Sequence, residues 1–141
     1  MITIANIRNW WANRPQADRE FLRPLVERQF RGDIERNAQR LVDAINPVIV
    51  PIMQKHKVTV IVTSGFRPVE WERRQGRSGT SQHTQGHAVD FVFAGQNAQA
   101  AMQEAWEIIS KNWNGGYARK MNGRLFSFIH VDLGRRRTWN Y

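Results

Sequence analysis

Cysteine is absent from the 141 residues. That excludes disulfides, thiolate nucleophiles and cysteine-ligated zinc together, so any bound metal must be held by His, Asp and Glu. No run of about eighteen apolar residues occurs, and no segment is read as a membrane span. The first stretch, MITIANIRNWWANRPQ, is amphipathic and has no basic start, apolar run and small-residue cleavage site. It is not read as a secretory signal, so the chain is expected to be made in the cytoplasm and to need another route to act outside it. Repeats, low-complexity tracts and linker-like segments are also missing, and residues 1–141 are read as a single domain. Acidic residues are few: 12 Asp and Glu stand against 21 Lys and Arg, a net charge of +9. Such an excess favours a polyanionic partner, whether nucleic acid, an anionic membrane surface or an anionic cell-wall polymer.

What is present falls into two parts. Residues 1–57 read as helical. In QADREFLRPLVERQF, Phe21, Leu25 and either Leu22 or Val26 share a face, with Pro24 as an expected interruption. Asp33 reads as the N-cap of the next helix, whose stripe is Ile34, Ala38, Leu41, Val42 and Ile45. Pro47 and Pro51 are expected to kink or split it. From Val58 the pattern changes. VTVIVTS is β-branched and nearly all apolar, the pattern of a buried strand. HAVDFVF reads as a second strand, NAQAAMQEAWEIISKNW as a helix stopped by NGG, Tyr117 as the start of a third strand, and RLFSFIHVDL as the last. This order implies an α+β fold, a small, mainly antiparallel sheet packed against helices.

The stretch SQHTQGHAVD, Ser81 to Asp90, holds three metal-ligand side chains. His83 and His87 have the spacing of a helical H-x-x-x-H site, but Gly86 between them disfavours helix and the strand that follows His87 disfavours it further. On a strand side chains alternate, so His87 shares a face with Val89, and Ala88 with Asp90. His83 precedes the strand across a glycine turn and can fold back toward Asp90. The pair to use is therefore His83 with Asp90, with His87 outside the ligand set. Of the remaining histidines, His56 sits at a polar helix end, where it can face water. His130 lies in an apolar strand and shares a face with Asp132. Spacing alone leaves His130 open between a buried histidine paired to a carboxylate and a metal ligand.

The blocks SGFR, SQHTQGHAVDF and FIHVDLGRRRTW resemble the zinc D-Ala-D-Ala carboxypeptidase/endopeptidase family, which includes peptidoglycan peptidases and phage endolysins and has a hedgehog-like fold. The family pattern S-x-H-x-x-G-x-A-x-D followed by H-x-D is met at Ser81, His83, Gly86, Ala88, Asp90, His130 and Asp132. The resemblance spans about Ser64 to Trp139 and makes residues 58–141 the metal-site core. It implies that His83, Asp90 and His130 hold one Zn²⁺ and that Arg67 meets a substrate carboxylate, which a guanidinium can bind with two parallel hydrogen bonds. Ser81 and Gln82 would line the cleft, unless they only cap the loop.

One departure from the family stands out. Many members carry a carboxylate three residues before the second histidine ligand, and here that position is Ser127. Asp132 is expected to serve as the base instead; the competing reading is that it positions a ligand or an arginine. Glu70 and Glu72 are read as solvated helix residues. The run Arg135, Arg136 and Arg137 with Trp139 suits an anionic wall polymer as well as nucleic acid. Scattered tryptophans make no stacking array, so nucleic acid is the less expected partner. The function implied is a zinc peptidase acting on peptidoglycan stem or cross-link peptides, as a phage lysis enzyme released by a holin or as a virion component. The alternative is a non-catalytic zinc protein of the same fold.

Overall fold

Ala38, Leu41, Val42, Ile45, Ile49 and Ile52 recur at helical spacing, and all six are buried along one face of a 24-residue helix, α3 (Asp33–His56). Each such Leu or Ile contributes about 1.5–3 kcal/mol when fully buried. The computed structural model describes all residues, Met1–Tyr141. Before α3 come α1 (Ile4–Arg8) and α2 (Gln16–Gln29). After it come β1 (Thr59–Ser64), α4 (Val69–Arg74), β2 (Ala88–Ala94), α5 (Ala98–Asn112), β3 (Gly116–Asn122), β4 (Leu125–Asp132) and β5 (Arg137–Asn140). No helix is long and apolar enough to cross a membrane.

The prolines break nothing. Pro24 lies inside an unbroken α2, and Pro47 and Pro51 inside an unbroken α3. All three are exposed. The carbonyl each one strands a turn earlier lies on the wet face, where water can bond it, while the buried stripe on the opposite face holds the helix together. The N-cap of α3 falls one residue earlier than expected. Gly32 takes it at φ +59°, and Asp33 and Glu35 sit in the first turn against the helix dipole.

The sheet has the order β1-β2-β4-β3-β5. Three pairings are antiparallel and β3–β5 is parallel, so the α+β class with a mainly antiparallel sheet holds. Strand β1 is not the buried strand its composition implied. It is an edge strand whose side chains alternate outward, with Ile61 46% exposed. Strand β5 was not legible, being four residues of polar and basic character at the opposite edge.

The two faces of the sheet divide the labour. Val89, Phe91, Phe93, Ile129 and Val131 are buried in the same cluster as Met102 and Ile109 of α5 and the α3 stripe. That cluster of 27 residues takes in both the helical half and the sheet, so the two halves share one core. On the other face, cross-strand register lines up Ser64, Asp90, His130, Ala118 and Trp139 in one row across all five strands.

Candidate metal centre

Asp90 of β2 and His130 of β4 are directly paired in the ladder, which brings their Cβ atoms within about 5 Å on one face. His83 reaches them from a short 3₁₀ turn, Gln82–Gln85. Ser81 caps that turn, its Oγ accepting from the His83 amide at 3.2 Å. Gly86 ends it at φ +81°, and a Cβ there would lie 2.6 Å from the Ile34 carbonyl oxygen of α3. The turn is thus pressed onto the helix, and His83 is folded back over the strand. His83 Nε2 lies 3.2 Å from His130 Nδ1 and 3.3 Å from Asp90 Oδ1, and His130 Nδ1 lies 2.8 Å from the same oxygen. These three residues form a buried group able to hold a metal ion. His87 lies outside it, half-buried on the far side of Gly86. His56 is half-buried against Glu104 rather than facing water.

Hydrogen bonds on the outer ring nitrogens decide which atoms face inward. His83 Nδ1 is 2.8 Å from the Gly65 carbonyl, which can only accept, so the proton sits there and leaves the Nε2 lone pair toward Asp90. His130 Nε2 is 2.7 Å from Asp132 Oδ2, and by the same reasoning its Nδ1 faces the cluster. Two ring nitrogens and a carboxylate oxygen therefore converge, an arrangement that calls for a proton or a metal cation between them. Zinc takes such N and O donors at about 2.0–2.2 Å, which in a tetrahedral shell sets them about 3.3 Å apart. The observed spacings of 2.8–3.3 Å fit that shell and leave its fourth position free. Without metal, burial holds the His83 pKa down. Burial opposes a charge on His130 too, but hydrogen bonds to Asp132 and Asp90 outweigh it and raise its pKa. Asp90 is held well below the usual carboxylate range by the two histidines, against its burial.

Asp132 is fully buried and saturated with donors. Oδ1 accepts from the Gly116 and Gly134 amides and from Arg137 Nη1, at 3.1, 2.9 and 3.0 Å. Oδ2 accepts from His130 Nε2 and from Arg137 Nη2, the latter at 2.9 Å. Though burial opposes its charge, the bonds to His130 and Arg137 hold its carboxyl well below the usual range. Ser127 is exposed and is the extra residue of a bulge in β4, where Met121 pairs with Phe126 and Lys120 with Phe128.

Arg67 follows β1 through a tight passage. The Phe66 amide donates to the Ile7 carbonyl at 2.9 Å, and the Arg67 amide to the His83 carbonyl at 3.1 Å. Its guanidinium lies 3.4 Å from Ser81 Oγ and 3.4 Å from Glu72 Oε1. Glu72 is the clear correction. Expected on a wet helix face, it is 0% exposed and held between Arg67 and Arg77, whose Nε donates to Oε2 at 2.6 Å. Two cations flanking it offset the cost of burying its charge. Glu70 is half-buried, accepting from Gln29 with both oxygens.

The cluster opens into a cleft of 230 Å³ that Arg67, Ser81, Gln82, Trp139 and Tyr141 border. Trp139 stands beside His130, ring centroids 5.0 Å apart. Arg135 and Arg136 of the basic run are exposed, and Arg137 is half-buried. Arg137 serves Asp132, and Arg136 donates to the Ser110 and Trp113 carbonyls. Sequence reading missed Arg137, Tyr141 and the Gly65 carbonyl; the R-x-W spacing after H-x-D pointed only to the first. A larger groove of 750 Å³ between residues 1–5 and α3 has mainly apolar walls and no convergent donors.

The family model described as Peptidase M15 matches residues 26–132, a span that contains Arg67, His83, Asp90, His130 and Asp132. No curated protein and no solved structure matches the chain significantly.

Proposed function

The chain belongs to the peptidase M15 family, the zinc D-Ala-D-Ala carboxypeptidase-like peptidases, and from that premise we propose that it hydrolyses peptide bonds in peptidoglycan stem or cross-link peptides with one zinc ion held by His83, Asp90 and His130. The observation that carries this reading is the inward convergence of His83 Nε2, His130 Nδ1 and Asp90 Oδ1. Zinc, when bound, supplies polarisation of the scissile carbonyl and activation of water.

The chain's own groups do the rest. Gly65 O and Asp132 fix the two imidazole rings in their metal-facing tautomers. Arg67 binds a substrate carboxylate with paired hydrogen bonds, and Ser81 and Gln82 line the cleft beside it. Asp132 acts through His130 as a positioning residue rather than as the base expected from sequence. A carboxylate that already accepts five hydrogen bonds and is held ionised by a guanidinium has neither a free lone pair nor the basicity to take a proton. The setting proposed for this activity is a lysis or virion role, with action on the wall. An anionic wall polymer suits its charge of +9 better than nucleic acid does, because the scattered tryptophans form no stacking array for bases.

One observation favours a second reading, a non-catalytic zinc protein. Apart from Asp90 and the saturated Asp132, no carboxylate borders the cleft, and Ser127 points to solvent. Digestion of purified peptidoglycan by zinc-loaded wild type and His83→Ala, with mass spectrometry of the products, separates the two. Products from wild type alone support the peptidase, and stoichiometric zinc without products supports the alternative.

A further inference from the structure

Past Arg67 the metal cleft gives onto a second recess, of 450 Å³, at the end of the sheet toward α4. Register places its start in the row of the metal ligands and its far side one step along the strands. Ser64 pairs with Asp90, and Lys120 pairs with Phe128 two residues from the Ala118–His130 pair. Its walls carry four cations, Arg14, Arg67, Arg77 and Lys120, and no carboxylate. Three of the four are partly neutralised from behind: Arg67 and Arg77 by Glu72, Arg14 by Asp18. Glu72 serves two arginines with one charge, and Lys120 is exposed and in no ion pair. The recess therefore keeps an excess of positive charge. A separate observation points to a ligand. The Ser64 hydroxyl borders the recess, is 8% exposed and has no hydrogen-bond partner. A buried donor is nearly always satisfied, so an unpaired hydroxyl beside a cationic recess calls for an acceptor from outside.

We propose that this recess is a second anion subsite, taking a carboxylate of the substrate other than the one bound on the metal side of Arg67. The preferred substrate is then a peptide with at least two free carboxylates. Ser64 supplies a donor at the floor, Arg67, Arg77 and Lys120 supply the positive charge, and Trp71 and Phe128 give the backbone apolar walls. The peptide nature of the ligand rests on the function proposed above; the charge and the unpaired Ser64 hydroxyl do not.

The test compares two probes: the soluble stem pentapeptide with a free glutamate carboxylate at its second position, and the same peptide with that carboxylate amidated. Binding to zinc-loaded protein is read from tryptophan fluorescence immediately on mixing, before turnover, for wild type, Lys120→Gln and Lys120→Glu. Lys120 is exposed and holds no other element, so both variants are expected to keep the wild-type melting temperature. Amidation is expected to weaken binding to wild type about ten-fold, the worth of a charge-assisted hydrogen bond. The ratio is expected to shrink in Lys120→Gln and to vanish or invert in Lys120→Glu. The same ratio in all three proteins, or no binding of the free acid to wild type, overturns the subsite. Cleavage is scored separately. A charge-dependent ratio together with no products from purified peptidoglycan sinks the peptidase and leaves the subsite standing.

Discussion

Asp132 and Arg137 meet through two parallel hydrogen bonds, Nη1 to Oδ1 at 3.0 Å and Nη2 to Oδ2 at 2.9 Å, with His130 Nε2 on the same carboxylate. The pair holds a ligand ring from behind. Asp132→Asn puts an amide NH₂ where two donors already point and frees His130 to turn. Zinc affinity, measured by competition with a chromophoric chelator, is expected to fall about 10–100-fold. Activity is expected to recover in part at saturating zinc. Unchanged zinc affinity with activity abolished would return Asp132 to the role of base.

Metal removal should be visible in stability as well as in activity. Three inward-facing acceptors repel one another unless a cation or a proton lies between them. Zinc at about 1,000 times its dissociation constant adds roughly 4 kcal/mol to the folded state, and for a chain of this size about 1 kcal/mol moves the melting temperature by a few degrees. Differential scanning calorimetry is expected to show a rise of roughly 10 °C on adding one equivalent of zinc to chelated wild type, and little change in His83→Ala. An equal response in both proteins would place the ion elsewhere.

Much of this site was legible because its geometry is local. Period-two alternation put Asp90 on the face away from Val89, and Gly86 argued against a helix through His83 and His87; the 3₁₀ turn and φ +81° are the physical form of that argument. His130 was open on spacing alone, because its pairing with Asp90 joins residues 40 apart in sequence and depends on strand order. Strand β1 misled because its β-branched residues fit an edge as well as a centre, and only topology distinguishes the two. Glu72 misled because helical periodicity says which face a residue is on, not whether two arginines from outside the helix come to cover it.

Gly86 makes its strain measurable against a control. Gly123 also has positive φ, at +63°, but an added Cβ there meets nothing within 4 Å. At Gly86 the added atom meets the Ile34 carbonyl at 2.6 Å and its side chain at 2.8 Å. Gly123→Ala is expected to cost about 1 kcal/mol, from backbone conformation alone. Gly86→Ala carries that cost plus the displacement of the turn from α3, and is expected to exceed the control by at least about 1 kcal/mol in urea denaturation. It should also weaken zinc binding, because the displaced turn carries His83. Equal costs at the two positions would mean that the turn does not depend on its packing against Ile34.

Glu72→Gln tests whether the buried carboxylate orders Arg67, the arginine proposed to meet the substrate. The change keeps shape and removes the charge that draws Arg67 Nε to 3.4 Å and Arg77 Nη2 to 2.5 Å. Two arginines then face each other beside a neutral amide, and Arg67 is expected to swing toward solvent. The zinc ligands touch neither side chain, so zinc stoichiometry should stay at wild-type level. Stability is expected to fall by about 1–3 kcal/mol, the cost of breaking a hydrogen-bonded buried charge. The signature that separates positioning from mere scaffolding is kinetic: KM rises several-fold while kcat changes little. A guanidinium that holds the substrate carboxylate equally well in the ground and transition states supplies uniform binding, and its removal raises KM alone. Restoring the negative charge with Glu72→Asp should recover part of KM. A fall in kcat at unchanged KM would mean that Arg67 acts on the reacting centre itself.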